Sequence, residues 1–204
     1  MRNWAVCFIL VLCSIAEPIL ASHRVALVIG NSQYPGKDAI PAVARDARNV
    51  AKLLEERQFR VTTALDRPRD ELRTLLQTFI DSSPVNGTAL IYFGGYSMTV
   101  KDNQGVFQGL LLTVDGNRKA IVLGELVEEV GISSAAKSTV ILIDSGQGLP
   151  PGYDERRGPP GLNAFEKLPD GVSLNFAMEP NTWAAQPGAI AKRLAESKNP
   201  GLEA

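Results

Sequence analysis

The sequence predicts an α/β fold in which a mainly parallel sheet is covered by helices. Short apolar runs alternate along the chain with segments whose apolar residues have helical spacing, which is typical of strand–helix–strand units. The runs at 24–29 and 138–143 are almost continuously apolar, as expected for strands that are buried on both faces. No internal repeat is present, and the length suits one domain.

The first half of the chain predicts three strands and two helices. Val43, Ala47, Val50 and Leu54 recur at the spacing of one helix face. Pro68 is placed where a helix tolerates proline, at its start, because the N–H that proline lacks has no partner there. In order, the elements are strand 24–29, helix 42–56, strand 59–64, a helix from Pro68, and strand 88–93.

The second half is less regular. Residues 98–114 predict an extended excursion with a hairpin around Asn103-Gln104-Gly105. A stretch rich in proline and glycine, 149–161, interrupts the pattern and predicts a surface loop. The remaining elements are helix 123–130, strand 138–143, strand 172–178 and helix 188–197.

The N-terminus has the pattern of a secretory signal over residues 1–21. Arg2 precedes an apolar run from Trp4 to Ile15, and Ala21 is a tolerable cleavage site. The run is shorter than the about 20 apolar residues of a membrane span. We therefore expect a secreted or periplasmic protein without a membrane span after cleavage, with an uncleaved anchor as the alternative.

Composition limits the chemistry. The 21 basic and 22 acidic residues give a net charge of −1 with no basic patch, which argues against nucleic acid as a partner. The two cysteines, Cys7 and Cys13, precede the only histidine, His23. Cleavage near Ala21 would remove both cysteines and exclude any Cys–His mechanism. No cluster has metal-ligand spacing, so we expect neither a metal nor another cofactor.

Four motif-like stretches follow one another along the chain: Val25 to Tyr34, with its Ile-Gly-Asn-x-x-Tyr turn, Asp46-Ala47-Arg48, Tyr92 to Ser97, and Asp144-Ser145-Gly146. In this order they resemble the caspase-like fold of bacterial metacaspases and orthocaspases. The resemblance implies a three-layer αβα caspase-like fold with a mainly parallel central sheet. It also implies a large-subunit-type domain at 22–148, a linker loop at 149–171, and a short, truncated small-subunit-like segment at 172–204.

The resemblance further implies that both catalytic positions are substituted. In the family a histidine is the general base and a cysteine the nucleophile; by position these become Tyr96 and Gly146. Tyrosine, with an ordinary pKa of about 10, is a poor base near neutrality, and glycine has no side chain. Ser145 is a substitute nucleophile only if a base such as a desolvated Lys101 or Lys137 stands beside it.

Two acidic residues match the specificity pocket of the metacaspase-like branch. Asp46 and Asp144 would receive a basic substrate side chain through charge-assisted hydrogen bonds. The alternative for Asp46 is a residue near a helix N-terminus, where capping and the helix dipole favour aspartate. The alternative for Asp144 is a polar residue that ends a strand.

Three functions therefore remain open. The first is a pseudopeptidase that binds a peptide or protein with exposed basic residues, or an active caspase-like relative. The second is an active hydrolase that cleaves after basic residues with Ser145 as nucleophile. The third is a non-functional remnant.

Overall fold

Five parallel strands form the central sheet in the computed structural model, which describes residues 23–35, 39–115, 119–145, 161–177 and 188–196. Neighbouring strands pair in parallel register throughout, so their carboxyl ends meet at one edge of the sheet. In spatial order the strands are β2 (Arg60–Leu65), β1 (Arg24–Gly30), β3 (Thr88–Gly95), β7 (Ser138–Ser145) and β8 (Val172–Phe176).

Among the described residues, two helices cover each face of this sheet. Helices α1 (Pro41–Glu56) and α4 (Ala189–Glu196) pack on one face, and α2 (Arg69–Asp81) and α3 (Leu123–Ser133) pack on the other. Successive side chains of a strand point to opposite faces, so each central strand contributes to both cores. The predicted three-layer fold is confirmed, and the sheet is parallel throughout the described part.

A second, antiparallel sheet occupies the excursion between β3 and α3. Its strands are β4 (Ser97–Lys101), β5 (Phe107–Leu112) and β6 (Ala120–Val122). The turn between β4 and β5 is the predicted hairpin: the Asp102 carboxylate accepts the N–H groups of Gln104 and Val106, and Gly105 adopts a φ of 86°. Strand β6 was not predicted, because three residues are too few to establish a period.

Element ends differ from the predictions by a few residues. Pro68 is the N-cap rather than the first residue of α2, and α3 continues to Ser133. Within the predicted linker, Leu162 is buried in the core of the α2–α3 face. The predicted signal at 1–21 and most of the linker lie outside the described residues. None of the described helices combines the length and apolar character needed to cross a bilayer.

Candidate functional site

The residues singled out by sequence gather at the carboxyl edge of the central sheet. Tyr96 directly follows β3, and Asp144 and Ser145 end the neighbouring strand β7. Strands β3 and β7 pair so that Gly94 lies opposite Asp144 and Gly95 opposite Ser145. Two of the four family-like stretches are therefore side by side. Gly146, the predicted nucleophile position, lies outside the described residues.

Tyr96 is held in a small aromatic cluster. Its ring packs edge-on against that of Tyr34, with 4.8 Å between centroids and 61° between planes. The Tyr96 N–H donates to the Tyr34 hydroxyl at 3.0 Å, and that hydroxyl donates to the Leu112 carbonyl at 3.2 Å. Burial raises the pKa of Tyr34, so its hydroxyl stays protonated. At 6% exposure, Tyr96 is part of the packing at this edge.

Asp66, which sequence reasoning missed, fixes the loop that carries Tyr34. Its carboxylate accepts the N–H groups of Ser32 at 2.6 Å and Gln33 at 2.9 Å, together with the Ser32 hydroxyl at 3.1 Å. The backbone of Asp66 has a φ of 53°, a conformation that aspartate tolerates better than most residues. The available signal was an aspartate placed immediately after a strand.

Asp144 is buried and occupied by hydrogen bonds. Its side chain accepts the Tyr92 hydroxyl and the Ala191 N–H, both at 3.1 Å. Burial raises the pKa of Asp144, the N–H groups of Ala191 and Ile190 and the Tyr92 hydroxyl oppose the rise, and the charge of Asp46 adds to it. Asp144 therefore accepts a hydrogen bond from the first turn of α4, a more specific role than that of a polar residue at a strand end.

Asp46 lies on α1 and faces the same end of α4. Helix α1 begins at Pro41 after the N-cap Ile40, so the alternative that Asp46 belongs to a helix N-terminus is wrong. Burial raises the pKa of Asp46, and Arg45, 3.6 Å away, opposes the rise. A Cβ on Gly188 would lie 2.6 Å from Asp46 Oδ2. The structure thus brings Asp46 and Asp144 together around the first residues of α4; the basic side chain that they would receive stays a prediction.

Ser145 points to the opposite face from Asp144. Its hydroxyl lies 2.6 Å from that of Ser97, and both side chains are buried. The two lysines considered as bases are exposed, Lys101 at the far end of β4 and Lys137 before the amino end of β7. Neither lysine lies beside Ser145. In the described part, no three His, Cys, Asp or Glu side chains are grouped as a metal site requires.

The chain's sequence over residues 23–193 matches the family model for the caspase domain. The chain belongs to the caspase domain family. A search of curated proteins finds no match to the sequence.

The fold of this caspase domain is similar to two solved structures. Against the Drosophila initiator caspase Dronc the TM-score is 0.53 at 12% identity, covering 76% of this chain and 55% of that one. Against the protein GSU0716 from Geobacter sulfurreducens the TM-score is 0.52 at 18% identity, covering 60% of this chain and 50% of that one. The chain thus spans about half the length of each. At these identities the likeness concerns the fold alone.

In this caspase domain the only histidine lies far from the candidate site. His23 immediately precedes β1, at the amino edge of the parallel sheet, whereas Tyr96 and Ser145 lie at the carboxyl edge. A strand of seven residues, at about 3.3 Å per residue, separates the two edges by roughly 20 Å. The assignment of Tyr96 and Gly146 to the base and nucleophile positions rests on the order of the motifs and stays a prediction.

Proposed function

We propose that this caspase domain is a pseudopeptidase, which binds peptide or protein segments with exposed basic residues and does not hydrolyse them. The observation that carries the proposal is the pairing of polar groups at the carboxyl edge. The Ser145 hydroxyl pairs with that of Ser97, and the Tyr96 N–H with the Tyr34 hydroxyl. A serine nucleophile needs a base within hydrogen-bond reach, and among the described residues the partner of the Ser145 hydroxyl is the Ser97 hydroxyl.

The carboxylates of Asp46 and Asp144 support the binding part of the proposal. They lie close enough for the charge of Asp46 to raise the pKa of Asp144 further, beyond the larger effect of burial. Ionised carboxylates in partly buried positions cost free energy, and such groups concentrate at functional sites. An arginine or lysine side chain would offset that cost through charge-assisted hydrogen bonds. An active caspase-like relative that displays such a segment is the second class of partner.

A hydrolase that uses Ser145 has less support. Serine must lose its proton to a base during attack, and neither Lys101 nor Lys137 is near enough to accept it. The Ser145 side chain also packs on the α2–α3 face, away from the two carboxylates that would hold the substrate. Turnover that depends on the Ser145 hydroxyl would favour this alternative.

The test measures turnover and binding with the same peptides. Fluorogenic peptides with arginine or lysine before the scissile bond should give no turnover above buffer. Labelled arginine peptides should bind, whereas matched peptides with glutamine should not. Asp46→Asn should weaken binding roughly tenfold, because it removes one charge from the pair. The control Asp170→Asn alters an exposed aspartate before β8 and should leave binding unchanged.

Two results would contradict the proposal. Turnover that is lost in Ser145→Ala would establish the serine hydrolase instead. Equal binding of the arginine and glutamine peptides would remove the role of the carboxylates. A separate variant, Tyr96→His with Gly146→Cys, tests the assignment of the catalytic positions: gained cleavage after basic residues would support it.

A further inference from the structure

The start of α4 covers the two carboxylates. Asp144 accepts the Ala191 N–H at 3.1 Å, and Gly188 lies so close to Asp46 that a Cβ there would be 2.6 Å from Oδ2. Asp144 is 3% exposed. An external guanidinium therefore cannot reach the Asp144 carboxylate while α4 is in place.

Within the described residues, helix α4 is held to the rest of the fold by a small buried face and by side-chain hydrogen bonds, among them one from the Arg193 guanidinium to the Phe176 carbonyl at 3.2 Å. It has eight residues, too short to be stable as an isolated helix, so its conformation depends on docking. Its buried residues are Ile190, Ala191 and Leu194, which pack in the core of the α1–α4 face. Near its other end, the Arg57 guanidinium donates to the Leu194 carbonyl at 2.9 Å. Elements with so small a buried face open at lower free energy than the central strands.

A basic side chain and the start of α4 use the same acceptor oxygens. The helix offers Asp144 backbone N–H groups and the partial positive charge of its N-terminus. A guanidinium offers a full charge and a planar fork that fits a carboxylate in bidentate fashion. The two therefore compete for one pair of carboxylates, and the competitor with the larger charge can replace the helix.

We infer that α4 is a displaceable cover: it occupies the Asp46–Asp144 pair in the free protein and leaves it when a basic side chain binds. The inference rests on the proposed function, since it concerns how the same site is regulated. The bound segment replaces the contacts of Ala191 and Gly188. The apparent affinity then equals the intrinsic affinity multiplied by the fraction of molecules in which α4 is undocked. Loosening α4 increases that fraction and so raises the apparent affinity.

Hydrogen exchange tests the displacement on the unmodified chain. A labelled peptide with one arginine is added, and exchange of the α4 amides is followed by mass spectrometry. Protection of α4 should fall on binding, while that of the central strands stays constant. The matched glutamine peptide should change neither. Protection of α4 that rises or stays constant when the arginine peptide binds would overturn the inference and leave the proposed function intact.

Affinity measured on variants gives the second arm. Leu194→Ala removes a buried anchor of α4 that is remote from the two carboxylates, and it should tighten arginine-peptide binding at least roughly threefold. The matched control Ala195→Ser changes the next residue, which is exposed, and should leave binding unaltered. Weaker binding by Leu194→Ala would mean that α4 belongs to the binding surface. Absence of binding by every variant would instead overturn the proposed function, and this inference with it.

Discussion

At the carboxyl end of β7, the two faces of the central sheet carry different polar groups: a hydroxyl on one face and a carboxylate on the other. On the α2–α3 face, β7 contributes Ile141, Ile143 and the Ser145 hydroxyl, which pairs with another hydroxyl. On the α1–α4 face it contributes Asp144, whose carboxylate is buried against Tyr92 and the start of α4. A neutral pair costs little to bury, whereas a carboxylate costs several kcal/mol before its partners offset it. The α2–α3 face therefore buries a neutral pair at low cost, whereas the α1–α4 face retains a carboxylate that is costly to bury, at the site proposed to bind basic side chains.

The largest expected difference between the faces is in core truncation. Ile141→Ala removes a fully buried side chain from the α2–α3 core and should lower the free energy of unfolding by roughly 3 kcal/mol. Leu194→Ala, on the α4 side, should cost about 1 kcal/mol, because α4 can detach while the sheet stays folded.

Urea denaturation followed by circular dichroism measures both losses. A reduced denaturant slope in Leu194→Ala would accompany early release of α4, since less surface is then exposed in the main transition. Equal losses in the two variants would show that α4 is as integral as the central strands, contrary to the comparison.

Most elements of both faces could be predicted from local pattern. The continuous apolar runs of β1, β3 and β7 and the stripe of α1 are signals that span enough residues to define a period. The motif order also placed Asp46 and Asp144 near one another. The clamp made by Asp66 and the contact of Asp144 with Ala191 could not be predicted, because each joins residues more than 30 positions apart through backbone N–H groups. Every residue except proline carries a backbone N–H, so the residue type does not show which of these groups will donate to a distant carboxylate.

The buried charge of Asp144 should make the protein less stable as pH rises. Burial raises the pKa of Asp144 above its unfolded value despite its hydrogen bonds. The stability linked to Asp144 is therefore fully present at pH values below its pKa in the unfolded chain, about 3.9. It is lost as pH rises through the higher pKa of Asp144 in the folded protein. Asp144→Asn keeps an acceptor for the Ala191 N–H without the charge. It should be more stable than wild type at pH 7, and the difference should shrink in acid.

Asp115, on the α2–α3 side, supplies a control of opposite sign. Burial alone would raise its pKa, but hydrogen bonds from Thr113, Lys119 and the Arg69 N–H together lower it. Stability linked to Asp115 is therefore present above the unfolded pKa and lost as pH falls through the folded one. Asp115→Asn should destabilise the protein at pH 7. Thermal unfolding from pH 3 to 8 compares the two variants; shifts of the same sign would contradict the distinction between the faces.

The smallest expected effect is at the Ser97–Ser145 pair. Ser145→Ala or Ser97→Ala alone leaves one buried hydroxyl without its partner and should cost about 1 kcal/mol. The double variant removes both hydroxyls and should be nearly as stable as wild type, because no unpaired group remains. A double-mutant cycle in urea should therefore give a coupling energy of about 2 kcal/mol in magnitude, because the losses of the two single variants are absent from the double variant. Additive losses would mean that each hydroxyl has a role of its own.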